Sequence, residues 1–169
     1  MYDNIDKRVG KKVWVFEKNG WDEELNTSRE WLVESINEPC GNFYDYHFII
    51  SDGDEKRDVM WFETVVVPEE NEDEGLRIEK YLSGNGFYFD YIEEDEILDT
   101  PIFLVEVSWG DWKHEHGWLD SLMGHIGYEL LQENVTEEDG SDCYSSVHVF
   151  IKKDAECLPM LKAAKELFR

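Results

Sequence analysis

Apolar and polar positions along the chain follow two periods: one of two residues, typical of strands, and one near 3.6 residues, typical of helices. Residues 13–16 have the composition of a strand. Residues 28–37 predict a helix, because Trp31, Leu32 and Ile36 would then share one face. Capping-box spacing at the start of this segment and a proline just beyond its end favour the same interpretation.

Two β-rich segments follow, at residues 43–50 and 59–67, and the turn-forming residues between them predict a hairpin. A second helix is expected over residues 68–82, because proline is favoured in the first turn of a helix and Gly84 follows at its end. Residues 87–92 predict a further strand.

The rest of the chain predicts a similar series of elements. These are a strand, a helix, a hairpin and a last helix, at residues 102–108, 113–125, 128–135 with 144–151, and 155–168. The series resembles the ferredoxin-like order. We therefore expect an α+β protein of two ferredoxin-like βαββα halves, with antiparallel sheets covered by helices. The halves would be residues 1–92 and 101–169, packed as two units or as one compact domain, and their similarity is too short to establish a duplication.

The charge of the chain indicates a class of function. The sequence has 40 acids and 16 bases, a net charge of −24, and residues 13–142 alone carry 35 acids and 7 bases. Aromatic residues make up 14% of the chain, whereas acidic disordered tails are poor in them, so the charge belongs to a folded body. A field of this sign opposes direct binding to nucleic acid or to an anionic membrane.

The cellular compartment is indicated by the targeting segments and cysteine motifs that the sequence lacks. It has no apolar stretch of about 18 residues and no basic, then apolar, signal segment at its start. Cys40, Cys143 and Cys157 fit neither a disulfide framework nor a C-x-x-C metal site. We expect a cytoplasmic protein.

Residues 109–118 form the densest polar and aromatic segment, and His114 and His116 within it suggest a metal site. Residues two apart on a helix point about 200° apart, however, so these imidazoles would not chelate one ion from a helix. We expect a helix start with Asp111 as its N-cap, and neither a metal nor another cofactor.

Catalytic arrangements are not evident. There is no G-x-S-x-G elbow and no phosphate-binding P-loop, so we expect a protein that is not an enzyme. His47 and His148 fall within the two predicted hairpins and could form a catalytic pair, but histidines inside strands are commonly structural.

Acidic clusters are the favoured candidates for function. Residues 69–99 carry twelve acids and two bases, an excess that local helix electrostatics does not explain. The expected contacts with a partner are Glu93, Glu94, Asp95 and Glu96, then Glu69, Glu70, Glu72 and Asp73, then Glu137, Glu138, Asp139 and Asp142.

A comparison of size leads to the functional hypothesis. A globule of 169 residues is about 40 Å across, and duplex DNA of that length carries about 24 phosphates, close to the charge of this chain. We expect an anti-defence type of inhibitor, a nucleic-acid mimic that blocks the basic groove of a nucleic-acid-binding protein, as antirestriction and anti-CRISPR proteins do. A homodimer is compatible with a strand edge left uncovered. The alternatives are a metal- or ligand-binding α+β domain centred on residues 109–118 and an acidic housekeeping adaptor.

Overall fold

The computed structural model describes residues 5–37, 46–109, 116–137 and 144–168. These residues form two antiparallel sheets and three α-helices, which confirms the α+β class. The chain divides into two compact units. Unit 1 comprises residues 1–72 and 80–87, and unit 2 comprises residues 73–79 and 88–169.

Unit 1 is built on a five-stranded antiparallel sheet in the order β4-β3-β2-β1-β5. A short 3-10 helix (Asp6–Arg8) precedes the sheet, and another (Trp61–Glu63) lies between β4 and β5. The hairpin predicted around residues 51–54 is confirmed as the β3–β4 pair, but the single strand predicted at residues 59–67 is divided between β4, the second 3-10 helix and β5. The strands are β1 (Lys12–Asn19), β2 (Asp22–Asn37), β3 (His47–Ser51), β4 (Lys56–Met60) and β5 (Thr64–Val66).

The helix predicted at residues 28–37 is wrong, because these residues form the second part of the long strand β2. Burial alternates there with a period of two: Trp31 and Val33 are 1% and 0% exposed, whereas Leu32 between them is 44% exposed. Trp31 and Val33 join Val13 of β1 in the core of the sheet. Pairing with β1 on one side and β3 on the other outweighs the local helical signals.

A tight turn joins β1 to β2. Asn19 pairs with Asp22, so the loop consists of Gly20 and Trp21, and Gly20 has φ +70°. A glycine with positive φ at the first loop position is what a type II′ hairpin turn requires. The turn leaves Trp21 fully exposed.

Helix α1 (Glu74–Gly84) begins in unit 2 and ends in unit 1. It starts later than predicted from Pro68, because the Asp73 carboxylate accepts a hydrogen bond from the Leu76 N–H (3.1 Å) and thereby caps the first turn. Its end at Gly84 is confirmed.

Unit 2 contains a four-stranded antiparallel sheet in the order β6-β7-β9-β8. The strand, helix, hairpin and helix predicted after residue 100 are all present, although the strand predicted at residues 87–92 is displaced to β6. The elements are β6 (Tyr91–Ile97), β7 (Thr100–Trp109), α2 (His116–His125), β8 (Tyr128–Glu137), β9 (Tyr144–Lys152) and α3 (Leu158–Leu167).

The two faces of this sheet are covered differently. Ile102 and Ile151, which are paired across β7 and β9, form one apolar cluster with Leu158 of α3. His148 points to the other face, where Asp120 of α2 approaches its ring. Helices α2 and α3 therefore lie on opposite faces of the sheet.

Candidate functional site

Strand β6 is an edge strand, since among the described strands it pairs only with β7, and it contains four consecutive acids. All four side chains, Glu93, Glu94, Asp95 and Glu96, are exposed. The ion pairs seen between described residues involve other acids. We call Glu93–Glu96 the acidic edge. Its carboxylates are available to a partner.

The acidic edge has a regular charge spacing. Residues of an antiparallel strand rise about 3.4 Å each and alternate between the two faces. Glu93 and Asp95 are paired with Leu104 and Ile102 and share their face, whereas Glu94 and Glu96 lie on the opposite face. Carboxylates on one face are therefore about 6.8 Å apart, twice the axial spacing of phosphates along one strand of duplex DNA, and a spacing of about 3.4 Å is reached only when both faces are counted together.

The acidic edge ends in a strained turn. Leu98 and Asp99 link β6 to β7 with φ of 48° and 59°, the left-handed values of a type I′ turn that asparagine and glycine normally supply. Leu98 is also 57% exposed. An exposed leucine in this conformation is uncommon, and it places an apolar group beside the carboxylates.

Relieving this strain is expected to stabilise the protein. Leu98→Asn should raise the free energy of unfolding by about 1 kcal/mol, because a left-handed conformation costs an ordinary L-residue about 1–2 kcal/mol and asparagine tolerates it better. Urea unfolding followed by circular dichroism measures the change. Leu167→Asn, at an exposed position in α3, is the control and should not stabilise. A Leu98→Asn variant no more stable than wild type would contradict the assignment of strain.

Two of the four acids in the predicted cluster at residues 69–73 make contacts within the protein. Glu69 accepts a hydrogen bond from Lys11 Nζ at 2.6 Å, which holds the pKa of that carboxyl below its ordinary value. Asp73 caps α1. Glu70 and Glu72 are exposed. The structure therefore does not gather these four acids into one uncompensated surface.

The third predicted cluster, at residues 137–142, has only its first acid among the described residues. Glu137 is the last residue of β8, and Glu138, Asp139 and Asp142 lie outside the described residues. His114 also lies outside them, and His116 is described only as the first residue of α2. Within the described ranges, no three histidine, cysteine, aspartate or glutamate residues are grouped to hold a metal ion.

Acids of unit 1 are engaged by arginines instead. Arg29 contacts Asp52 and Glu55, and Arg57 contacts Glu17 and Glu55. The hydrogen bond from Arg29 is the main reason why the pKa of Asp52 falls from 3.8 to about 2. These carboxylates help to hold the β-sheet face together, which distinguishes them from the acidic edge.

His148 has the partners of a catalytic histidine without access to a substrate. Its Nε2 lies 3.0 Å from Ser146 Oγ, and its Nδ1 lies 3.7 Å from Asp120 Oδ1. A serine, a histidine and an aspartate in this order resemble a nucleophile with its base. Ser146 and His148 are both 0% exposed, so the arrangement is structural in this conformation. His47 lies in unit 1, where its Nδ1 is 2.8 Å from Asp58 Oδ1.

Sequence reasoning missed one exposed surface, at the β1–β2 hairpin. Asp22, Glu23 and Glu24 follow the fully exposed Trp21 and are themselves exposed. The signal was Gly20 followed by Trp21, since a glycine at the first of two loop positions marks a type II′ hairpin turn when strands flank it.

Comparisons with known proteins identify no relative: no protein-family model, no curated protein and no solved structure matches this chain. Among the described residues, no helix is both long and apolar enough to span a membrane.

Proposed function

We propose that this protein acts by binding and not by catalysis, as an acidic inhibitor that blocks the basic groove of a nucleic-acid-binding protein. The observation that carries the proposal is the acidic edge. Four consecutive carboxylates lie on an exposed edge strand without cationic partners among the described residues, with two of them on each face. The net charge of −24 would speed encounter with a basic protein.

Protection of the sheet edge is the competing explanation of the acidic edge. Charged side chains on an edge strand hinder pairing with the edges of other molecules. Both roles require that the carboxylates be exposed. Only the binding role predicts that removal of the charges weakens the affinity for a partner protein. The acidic edge therefore has to be compared with an equal number of acids elsewhere.

The test compares three tagged proteins in a nuclease-treated bacterial lysate: wild type, an edge variant and a control variant. The edge variant is Glu93→Gln, Glu94→Gln, Asp95→Asn and Glu96→Gln. The control variant is Asp22→Asn, Glu23→Gln, Glu24→Gln and Asp54→Asn, which removes the same charge from exposed acids of unit 1. Proteins retained at low salt are identified by mass spectrometry and then purified for affinity measurements.

We expect wild type and the control variant to retain the same nucleic-acid-binding protein, and duplex DNA to displace it. The edge variant should bind it at least about fourfold more weakly, since exposed ion pairs contribute about 0.2–1 kcal/mol each and four would be lost. Equal affinity of the edge variant would overturn the assignment to the acidic edge. A partner that DNA does not displace would overturn nucleic-acid mimicry while leaving a binding role.

A further inference from the structure

One cleft in unit 1, which we call the cationic cleft, has a charge opposite to that of the protein. It has a volume of about 550 Å³ and lies between the N-terminal 3-10 helix, the end of β5 and the C-terminal end of α1. Four cationic side chains line it, Lys7, Arg8, Lys11 and Lys80, with Glu69 as the carboxylate among the lining residues. A quarter of the 16 bases of the chain thus lie around one cleft of a protein with net charge −24.

Arg8 is the most constrained of these cations. It is 6% exposed, and its Nη1 donates to the hydroxyl and carbonyl of Thr64 at 3.0 and 3.4 Å and to the carbonyl of Trp61 at 3.3 Å. These acceptors are neutral, and the buried Nε meets no hydrogen-bond acceptor among the described residues. Burial lowers the pKa of Arg8 to about 10, which still leaves the guanidinium charged at neutral pH.

A buried guanidinium with only neutral hydrogen-bond acceptors favours the binding of an anion nearby. Burying a cation without a counter-ion is costly, and a cleft lined by one sign of charge concentrates ions of the other sign. Lys11 is paired with Glu69, and the charge of Lys80 also lowers the pKa of that carboxyl, whereas Lys7 has no ion pair with a described residue. The lining residues also include Val66 and Tyr81, which are 8% and 2% exposed, and the half-buried Val67, so Val67 offers most of the apolar surface of these three.

Stabilisation of the helix end explains little of this charge. Lys80 precedes the last turn of α1, which contains no base, so it gains little from the helix dipole, which acts mainly within that turn. The last carbonyls are also capped already: the Phe87 N–H donates to the Leu82 carbonyl at 2.9 Å and the Asn85 N–H to the Tyr81 carbonyl at 3.1 Å. Lys7 and Arg8 come from a different element, so the dipole does not account for them.

We propose that this cleft binds a small organic phosphate of mononucleotide size, with the phosphate beside Lys7, Arg8 and Lys80 and the organic body against Val66, Val67 and Tyr81. Its volume lies within the range of about 300–1,000 Å³ that is usual for small-molecule sites. A charged phosphate between cations and an apolar body against valine and tyrosine match the two kinds of surface in the cleft.

Calorimetry with the full chain tests this proposal, using AMP, adenosine and pyrophosphate as probes. The cleft variant is Lys7→Ala with Lys80→Ala, both at exposed positions, and circular dichroism checks that it folds. The control variant is Lys18→Ala with Lys152→Ala, which removes the same charge from exposed lysines outside the cleft.

AMP is expected to bind wild type and the control variant with a dissociation constant of about 1 mM or lower, and the cleft variant about tenfold more weakly. Adenosine, which lacks the charge, should bind much more weakly than AMP. The proposal is overturned if AMP gives no saturable binding, if adenosine binds equally well, or if both variants respond alike. Binding of pyrophosphate without AMP would overturn the organic phosphate in favour of an inorganic one.

Discussion

Replacing Trp31 with alanine is expected to lower the free energy of unfolding by about 3–5 kcal/mol, the usual cost of truncating a buried tryptophan. Trp31 is 1% exposed and packs in the core of the first sheet. The guanidinium carbons of Arg29 and Arg57 lie 4.0 and 4.7 Å from the centroid of its ring, so the substitution also removes two cation–π contacts. Chemical denaturation followed by far-ultraviolet circular dichroism measures the loss.

Leu32→Ala is the matched comparison, because the two geometries considered for this segment make opposite predictions. On a helix, Trp31 and Leu32 would share the buried face, and both truncations would be costly. On strand β2, Leu32 points away from Trp31 and is 44% exposed, so its truncation should cost less than about 1 kcal/mol. Similar losses for the two variants would contradict the strand.

The error over residues 28–37 shows where local patterns mislead. Thr27 and Glu30 have the spacing of a capping box at the start of a helix. Trp31, Leu32 and Ile36 are spaced to share one face of that helix. The strand depends on partners that are distant in sequence, since the end of β2 pairs with β3. A tertiary interaction therefore decided the secondary structure, and the local signals did not contain it.

The elements of unit 2 are easier to predict from the sequence, because glycine and proline residues mark their boundaries. Gly127, with φ +88°, lies between α2 and β8, and Pro159 falls in the first turn of α3. The α2 segment is long enough to show its apolar face, including the buried Leu119, Leu122 and Met123. Here the local periods and the tertiary structure agree.

The candidate sites were predictable to different degrees. The acids of the acidic edge are evident from composition, but their place on an edge strand depends on the order of the sheet, which no local pattern reveals. The cationic cleft was not predicted at all. Lys7 and Lys80 are far apart in the sequence, and each alone looks like an ordinary surface lysine. Their common charge becomes meaningful only when the fold brings them to one cleft.

Asn85→Ala is expected to lower the free energy of unfolding by about 2–3 kcal/mol, because it leaves a buried backbone donor without a partner. The Asn85 side chain, 3% exposed, accepts a hydrogen bond from the Val66 N–H at 2.8 Å. It donates to the carbonyls of Val66 and Tyr81 at 3.3 and 2.9 Å. The amide thus pairs with the outer edge of β5 as a neighbouring strand would, and it ties that edge to the end of α1.

Asn134→Ala, at an exposed position in β8, is the control and should change stability by less than about 0.5 kcal/mol. Asn85 also holds two walls of the cationic cleft, Val66 and Tyr81, in place. Under conditions where Asn85→Ala remains folded, it should therefore weaken AMP binding although every lysine of the cleft is retained. If Asn85→Ala unfolds at the same urea concentration as wild type, the amide does not hold the edge of β5, and the walls of the cleft are fixed by other contacts.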